Sequence, residues 1–264
     1  SRSRARSSAC NGQTECTALA GMMIRRNPLK SPVKTGMRDD LPDAKTGARA
    51  VRPRLSASLI VIDRSGSEPR FLIGRRPDAH AFMPGKFVFP GGKLERADSK
   101  SPGVPLRETS LGLLTDDGIS AAAAHALAIA AVREAWEEAA ISVTSGYNDA
   151  FAPSQLPFYP YLSSLAYVAR AITPPGFPRR YDTRFFATFR DQTIEEQREA
   201  KASDEMTGFG YYSHAETAQI NLPAITRIIL EHVCKRLAAD PLLELRQPLP
   251  TFRTRRGKFV CDWR

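Results

Sequence analysis

The sequence is poor in cysteine, with four in 264 residues: Cys10, Cys16, Cys234 and Cys261. No two of them form a C-x-x-C pair, and no histidine stands near them at the spacing of a zinc site. Scattered thiols argue against a disulfide framework and favour a reducing compartment. We therefore expect a cytoplasmic protein, with organelle targeting by the Ser- and Arg-rich N-terminal segment as the alternative.

Long apolar runs are also missing. No stretch approaches the roughly 20 residues that a helix needs to cross a bilayer, so we expect no membrane partner. The sequence also lacks a P-loop, a Ser-His-Asp constellation and an internal repeat, and it gives no support to the protein classes that those features define.

Positive charge is unevenly distributed. The net charge is +10, and residues 1–54 hold twelve Lys or Arg against four acids, which makes this segment +8. The remainder is nearly neutral, so the charge indicates a solvated tail and makes nucleic acid an unlikely partner. We expect a disordered basic arm at 1–50 and one domain at 51–264. An overlong gene start, with Met22 or Met37 as the initiator, would explain the arm equally well.

Acidic residues are concentrated in one predicted helix, 121–139, which contains an alanine run and neither Gly nor Pro. On a helix Glu134, Glu137 and Glu138 share one face, while apolar residues such as Trp136 fall on the other. Like charges at this spacing destabilise an isolated helix by a few tenths of a kcal/mol, and a hard divalent cation would reverse that repulsion. The face is therefore either a metal site or an ordinary solvated surface.

Two adjacent glycines, Gly91 and Gly92, follow a strand-like run at 86–89. Glycine permits a turn with positive φ, and it also permits close approach of the backbone to another element or a ligand. Because this Gly-Gly precedes the acidic helix in the chain, we expect the two segments to meet in space.

Together these segments resemble a Nudix box, whose usual form is G-x5-E-x7-R-E-U-x-E-E-x-G-U with U aliphatic. The residues that match or stand in for its positions are Gly92, Asp98, Arg133, Glu134, Glu137, Glu138 and Ile141. Asp98 is a shorter acid than the usual Glu, Ala135 stands where a larger aliphatic is usual, and Ala140 replaces the glycine that ends the helix. An Ala there would be strained by about 1 kcal/mol if left-handed, which suggests a different exit from the helix.

The box is also split, because residues 99–132 separate Asp98 from Arg133. We interpret about 99–120 as an inserted loop with a short helix, either a lid or specificity loop near the site or a surface excursion. A split box, with Arg75-Arg76 and the run from Phe82 to Gly92, is similar to the subgroup that includes the peroxisomal coenzyme A diphosphatases. Ala81 departs from that subgroup, which has a second arginine near this place.

The resemblance implies an α/β fold, the Nudix α/β/α sandwich with a mixed β-sheet. The residue pattern fits it, because strand-like segments alternate with two principal helices, 121–139 and 222–239. A hairpin is predicted around 255–258, near the C-terminus.

The resemblance also implies roles for the site residues. Glu134, Glu137 and Glu138 would bind Mg2+ or Mn2+, and one carboxylate, Glu134 or the more distant Glu205, would act as the base. Arg133 would orient the carboxylates and pair with Asp98, while the Gly91-Gly92 backbone would shape the site. Further candidates for substrate binding are Arg75, Arg76 and Arg184. The alternatives are surface arginines or ion pairs for Arg75 and Arg76, and an ordinary acidic loop for Glu205.

The expected function is metal-dependent hydrolysis of the diphosphate bond in a small-molecule nucleoside diphosphate derivative. Coenzyme A or acyl-coenzyme A ranks first because of the split box and the run ending at Gly92. ADP-ribose or dinucleotide hydrolysis is the alternative, as is a non-catalytic Nudix-fold protein that binds a nucleotide. RNA binding or RNA-cap hydrolysis draws support only from the basic arm. A homodimer is compatible with the resemblance, since dimers are common among similar proteins.

Overall fold

The computed structural model describes residues 51–79, 83–144, 156–195, 206 and 208–264. Among them are eleven strands and three α-helices. The strands are β1 (Arg54–Asp63), β2 (Arg70–Arg75), β3 (Phe87–Val88), β4 (Gly91–Lys93), β5 (Ile141–Ser142), β6 (Ala166–Ile172), β7 (Tyr181–Phe189), β8 (Ile194–Glu195), β9 (Phe209–Ser213), β10 (Pro250–Arg255) and β11 (Lys258–Trp263). The helices are α1 (Glu108–Asp116), α2 (Ala121–Ala139) and α3 (Ala224–Ala239). None of these helices is both long and apolar enough to cross a membrane.

The main sheet is mixed and runs in the order β11-β10-β6-β7-β1-β2-β3, with β4 also paired to β1 and β9 to β2. Strand β1 is parallel to β7 and antiparallel to β2 and β4. Its central residues alternate between two buried faces, so the strand is apolar on both sides. Leu59 and Val61 face the core that contains α2, and Ile60 and Ile62 face the core that contains α3. The predicted sandwich with a mixed sheet is therefore confirmed.

Helix α2 begins and ends at the residues that the sequence predicts. Its first turn is capped by Ser120, whose Oγ accepts a hydrogen bond from the Ala123 N–H at 3.3 Å. At its other end Ala140 has φ 55° and ψ 32°, and its N–H donates to the Trp136 carbonyl at 3.1 Å. The expectation of a different exit geometry is wrong, because Ala140 adopts the left-handed cap that glycine usually occupies.

Ala140→Gly should therefore stabilise the protein by about 1 kcal/mol, because glycine carries no Cβ penalty in the left-handed region. Urea denaturation of the two proteins would measure the change. Ala139→Gly is the matched control: it lies within the right-handed helix and should instead lower stability by about 0.5–1 kcal/mol. Equal destabilisation by both substitutions would contradict the strained cap.

The insertion forms α1 and packs into the core beside α2. Leu113 and Leu114 of this helix are buried among apolar residues of the α2 core. The Ser110 hydroxyl donates to the Leu165 carbonyl at 2.9 Å and accepts from the Tyr167 N–H at 3.0 Å, which joins α1 to the start of β6. The insertion is therefore an integral part of the domain, and the surface-excursion interpretation is wrong.

Candidate active site

The two segments of the split motif meet where β4 passes the C-terminal half of α2. Gly91 and Gly92 pair with Ser58 and Ala57 of β1, so both glycines lie in a strand, and neither has positive φ. Of the two possibilities that glycine permits, the turn with positive φ is therefore absent at Gly91 and Gly92. The expected close approach is present, because a Cβ on Gly92 would lie 2.2 Å from Glu134 Oε1.

Gly91 makes the second contact between β4 and the helix. Its N–H donates to Glu138 Oε2 at 3.0 Å. A Cβ at this position would lie 2.6 Å from the Ala57 carbonyl oxygen and 2.7 Å from Ser58 Cα, so a side chain would displace β1. Both glycines are required because the backbone of β4 lies directly against its neighbours.

Arg133 is buried at the centre of the acidic cluster, and each of its five N–H groups has an acceptor. Nε and Nη2 donate to the two carboxylate oxygens of Asp98 at 2.8 and 3.3 Å. Nη1 donates to Glu134 Oε1 and to Glu137 Oε2, both at 2.9 Å, and Nη2 also donates to the Lys93 carbonyl at 3.1 Å. Burial alone would lower the Arg133 pKa, but the bond to Asp98 and the surrounding carboxylates raise it above the usual value. Arg133 is therefore a permanent cation that orients two of the glutamates.

Asp98 completes this ion pair from the opposite end of the insertion. The residue is fully buried, and its Oδ2 also accepts the Glu95 N–H at 2.7 Å. It opens a single 3-10 turn that ends at Lys100. His125 of α2 bonds to the Ser101 carbonyl at 2.9 Å and holds this turn against the helix. The pairing that the resemblance implies is present, and the short side chain suffices because the turn lies close to α2.

The three glutamates offer oxygen ligands only, which is the donor set that Mg2+ and Mn2+ prefer. All three line one cavity, and the Glu134 carboxylate fills the space that a Cβ on Gly92 would occupy. No three His, Cys, Asp or Glu side chains in the described residues converge as a ready-made metal centre. The reason is geometric, because Arg133 binds Glu134 and Glu137 while Glu138 bonds to Gly91. The residues fit the ion chemically, and its binding would require these side chains to rotate.

The cavity has a volume of about 840 Å3, which is in the range of small-molecule sites. Its floor consists of alternate residues of two parallel strands, β1 and β7. These residues form three cross-strand pairs. The inner pair is Ser58 with Phe185, the middle pair is Ser56 with Thr183, and the distal pair is Arg54 with Tyr181. The inner pair adjoins Gly91 and the glutamates, so the floor extends away from the acidic cluster.

These floor residues were not among the candidates predicted from the sequence. The signal was nevertheless present, since Ser56 and Ser58 are polar residues at alternate positions of an otherwise apolar strand. In the middle pair, the Ser56 and Thr183 hydroxyl oxygens are 2.6 Å apart and share a hydrogen bond. Ser58 donates to the Pro90 carbonyl at 2.8 Å, which fixes the loop before β4.

The two adjacent arginines, Arg75 and Arg76, have different positions. Arg76 lines the cavity, as a substrate-binding residue must. Arg75 Nη2 instead lies 2.7 Å from Asp78 Oδ1, which is the ion-pair alternative stated above. Arg76 therefore remains a candidate for substrate binding, and Arg75 is not a lining residue of the cavity.

Arg184 is on the wrong face of β7 to contact a substrate. The side chain is 1% exposed, and successive residues of a strand alternate faces, so Arg184 points away from Thr183 and Phe185. Its guanidinium lies 3.0 Å from Asp182 and 3.5 Å from Asp117, the C-terminal capping residue of α1. The prediction of substrate binding by Arg184 is wrong, since this residue ties the insertion to the sheet.

The insertion does not reach the cavity either. No residue of 99–120 lines it, which contradicts the interpretation of this segment as a lid or specificity loop. The proposed base Glu205 and the departure at Ala81 lie outside the described residues.

Comparison with known proteins supports the fold. No family model matches the chain, and no curated protein matches its sequence. The chain is similar to a crystal structure of a Nudix hydrolase from Alicyclobacillus acidocaldarius, with 24% identity and a TM-score of 0.52, covering 72% of this chain and 93% of that chain. This likeness shows that the chain has the Nudix fold.

Two further solved structures are more distant. One is the Nudix domain of Shewanella oneidensis NrtR complexed with ADP ribose, with 12% identity and a TM-score of 0.44, covering 71% of this chain and 90% of that chain. The other is a MutT Nudix hydrolase from Burkholderia pseudomallei, with 17% identity and a TM-score of 0.43, covering 69% of this chain and 99% of that chain.

Proposed function

We propose that this protein is a metal-dependent hydrolase that cleaves the diphosphate bond of a nucleoside diphosphate derivative. The observation that carries the proposal is the acidic cluster at one end of the cavity. There a saturated, buried Arg133 orients Glu134 and Glu137, and Glu138 bonds to the backbone of β4. A purely structural helix face would have no need of a glycine, Gly92, whose missing Cβ leaves room for the Glu134 carboxylate beside the cavity.

Glu134, Glu137 and Glu138 are the residues that would hold Mg2+ or Mn2+. When bound, such an ion supplies charge neutralisation on the diphosphate and lowers the pKa of water. Arg133 keeps two of these carboxylates in place through its Nη1 group, and Arg76 offers a cation to the substrate from the cavity wall. One carboxylate, Glu134 or Glu205, would accept the proton of the attacking water.

Coenzyme A or acyl-coenzyme A is the first substrate class that we propose. Its support is the resemblance carried by the split box and by the run that ends at Gly92. ADP-ribose and dinucleotides are the alternative substrates. They share the diphosphate, and the cavity of about 840 Å3 has room for a nucleoside beside it.

A panel of diphosphates tests the proposal. Coenzyme A, acetyl-coenzyme A, ADP-ribose and diadenosine polyphosphates should be incubated with the protein and Mg2+ or Mn2+, and the products identified by mass. We expect two phosphate-bearing products from at least one substrate, and none when EDTA replaces the ion. If calorimetry shows that a nucleotide binds, but no product forms over hours, the result would contradict hydrolysis and favour a binding protein.

A further inference from the structure

The outer end of the cavity floor carries positive charge that the acidic cluster does not balance. Arg54 extends the polar face of β1 that includes Ser56 and Ser58, and Arg179 stands just before β7. Both side chains line the cavity and are exposed. Neither has a hydrogen bond or an ion pair in the described part of the chain. We call these two residues the outer arginine pair.

The backbone that carries the outer arginine pair is fixed by Arg180. The Arg54 N–H donates to the Arg180 carbonyl at 2.9 Å. The Arg180 side chain in turn donates to the Thr173 carbonyl at 3.0 Å and to the Val51 carbonyl at 2.7 Å. Arg180 therefore joins the β6–β7 loop to the segment before β1. Because Arg54 bonds to Arg180 and Arg179 precedes Arg180 in the chain, both residues of the outer arginine pair belong to the same end of the cavity.

The carboxylates nearest this end are already paired elsewhere. Glu95 lies 3.2 Å from Lys93. Asp182, between Tyr181 and Thr183 in β7, points to the opposite face of the strand and lies 2.7 Å from Arg170. The outer arginine pair is thus a local excess of guanidinium charge inside a concave site, where arginine binds phosphate through paired hydrogen bonds.

Distance separates this charge from the reacting end of the substrate. Gly92, which contacts Glu134, pairs with Ala57, and Arg54 lies three residues further along β1. At about 3.3 Å per residue, the two points are about 10 Å apart, a gap that the long arginine side chain can shorten. The outer arginine pair therefore starts about three strand residues away from the glycine that contacts Glu134.

The space at this end suits a group that branches from the substrate. A shallow surface depression adjoins the cavity, and both are lined by Arg54, Lys93 and Glu95. Between the outer end and the glutamates, the middle pair offers two hydroxyls and the inner pair offers the Phe185 ring. These uncharged groups suit a sugar and a base better than a further phosphate.

From this arrangement we infer that the outer arginine pair binds a second anionic group of the substrate, a phosphomonoester attached outside the diphosphate. The inference rests on the proposed function and narrows its substrate class. The preferred substrates are nucleoside diphosphate derivatives that carry such an extra phosphate, and their analogues without it are poor substrates.

Two matched substrate pairs test the inference: coenzyme A with 3′-dephospho-coenzyme A, and NADPH with NADH. Each pair differs only in the phosphomonoester, which is at the ribose 3′ position in the first and at the 2′ position in the second. We expect the wild-type kcat/KM to be at least about tenfold higher for the phosphorylated member of one pair, which is the worth of one charged hydrogen bond. The difference should lie in KM, because a remote phosphate is held equally in the ground state and the transition state.

The Arg54→Gln/Arg179→Gln double variant should lose this preference. Its kcat/KM should fall at least about tenfold more for the phosphorylated member than for the other. The charge-matched control is Arg255→Gln/Arg256→Gln in the exposed β10–β11 turn, which removes the same charge at two residues that do not line the cavity and should keep the wild-type ratio. Equal kcat/KM for both members in the wild type, or an unchanged ratio in the double variant, would overturn the inference.

Failure of the proposed function gives a different result from failure of the inference. If no diphosphate is hydrolysed, the proposed function fails, and calorimetry of the same pairs then decides the inference. Tighter binding of the phosphorylated member that disappears in the double variant would support the arginine site. Equal affinities for both members would exclude it.

Discussion

Glu138→Gln should lower the metal-dependent hydrolysis of the best substrate by about 100-fold or more, with the fold intact. Glutamine can still accept the Gly91 N–H that now bonds to Glu138 Oε2 at 3.0 Å, so the contact with β4 is kept. What it loses is the negative charge, and a neutral amide is a much weaker ligand for a hard divalent ion. A 100-fold loss corresponds to about 2.7 kcal/mol of transition-state stabilisation. The comparison requires kcat/KM over a range of Mg2+ concentrations together with the melting temperature.

Glu137→Gln should behave in the same way. Its side chain is half-exposed, and the amide oxygen can still accept from Arg133. Glu231→Gln in α3 is the matched control, since Glu231 is a helical glutamate that bonds to Lys235 on the surface. Full activity in both Glu137→Gln and Glu138→Gln, at saturating metal and with pure protein, would eliminate the proposed metal site.

Arg133→Met should destabilise the protein by about 3–5 kcal/mol. Asp98 is fully buried, and removal of its guanidinium partner leaves an uncompensated charge inside the protein. The five acceptors of Arg133 also lose their donors at the same time, among them the Lys93 carbonyl of β4. Chemical denaturation monitored by circular dichroism would give the free energy of unfolding.

A double variant separates the buried charge from the loss of packing. Arg133→Met/Asp98→Asn removes both charges, so it should recover part of the stability that Arg133→Met loses. Two results would contradict a role of the ion pair in holding the two halves of the motif together. One is a loss of less than about 1 kcal/mol in the unfolding free energy of Arg133→Met, and the other is a double variant no more stable than Arg133→Met.

The sequence was most informative where local signals decide the structure. Helix α2 could be located because its alanine run contains neither Gly nor Pro, and both bounds are those predicted. The hairpin at 255–258 is also present, because β10 and β11 pair on either side of Arg256 and Gly257. Helix α3 begins at Ala224, two residues later than predicted, since Pro223 occupies the capping position.

The errors concern features that only tertiary contacts determine. The sequence shows that Gly91 and Gly92 are adjacent glycines, but whether they turn or lie against another element depends on β1 and Glu134. Arg184 was assigned to substrate binding because the corresponding strand of many Nudix proteins carries substrate-facing residues. Side chains alternate between the two faces of β7, however, and Arg184 lies on the opposite face from Thr183. The Arg133 cluster could be anticipated only in part, because the Lys93 carbonyl joins it through the backbone.

The Asp98–Arg133 pair has a consequence for proteins whose motif is split in this way. The ion pair joins two residues that are 35 positions apart in the chain, and the whole of helix α1 lies between them. The length of that intervening stretch can differ without moving the site, provided that Asp98 and Arg133 still contact each other. A recognition rule written as a fixed count of letters would overlook such a relative, whereas one written as neighbours in three dimensions would find it.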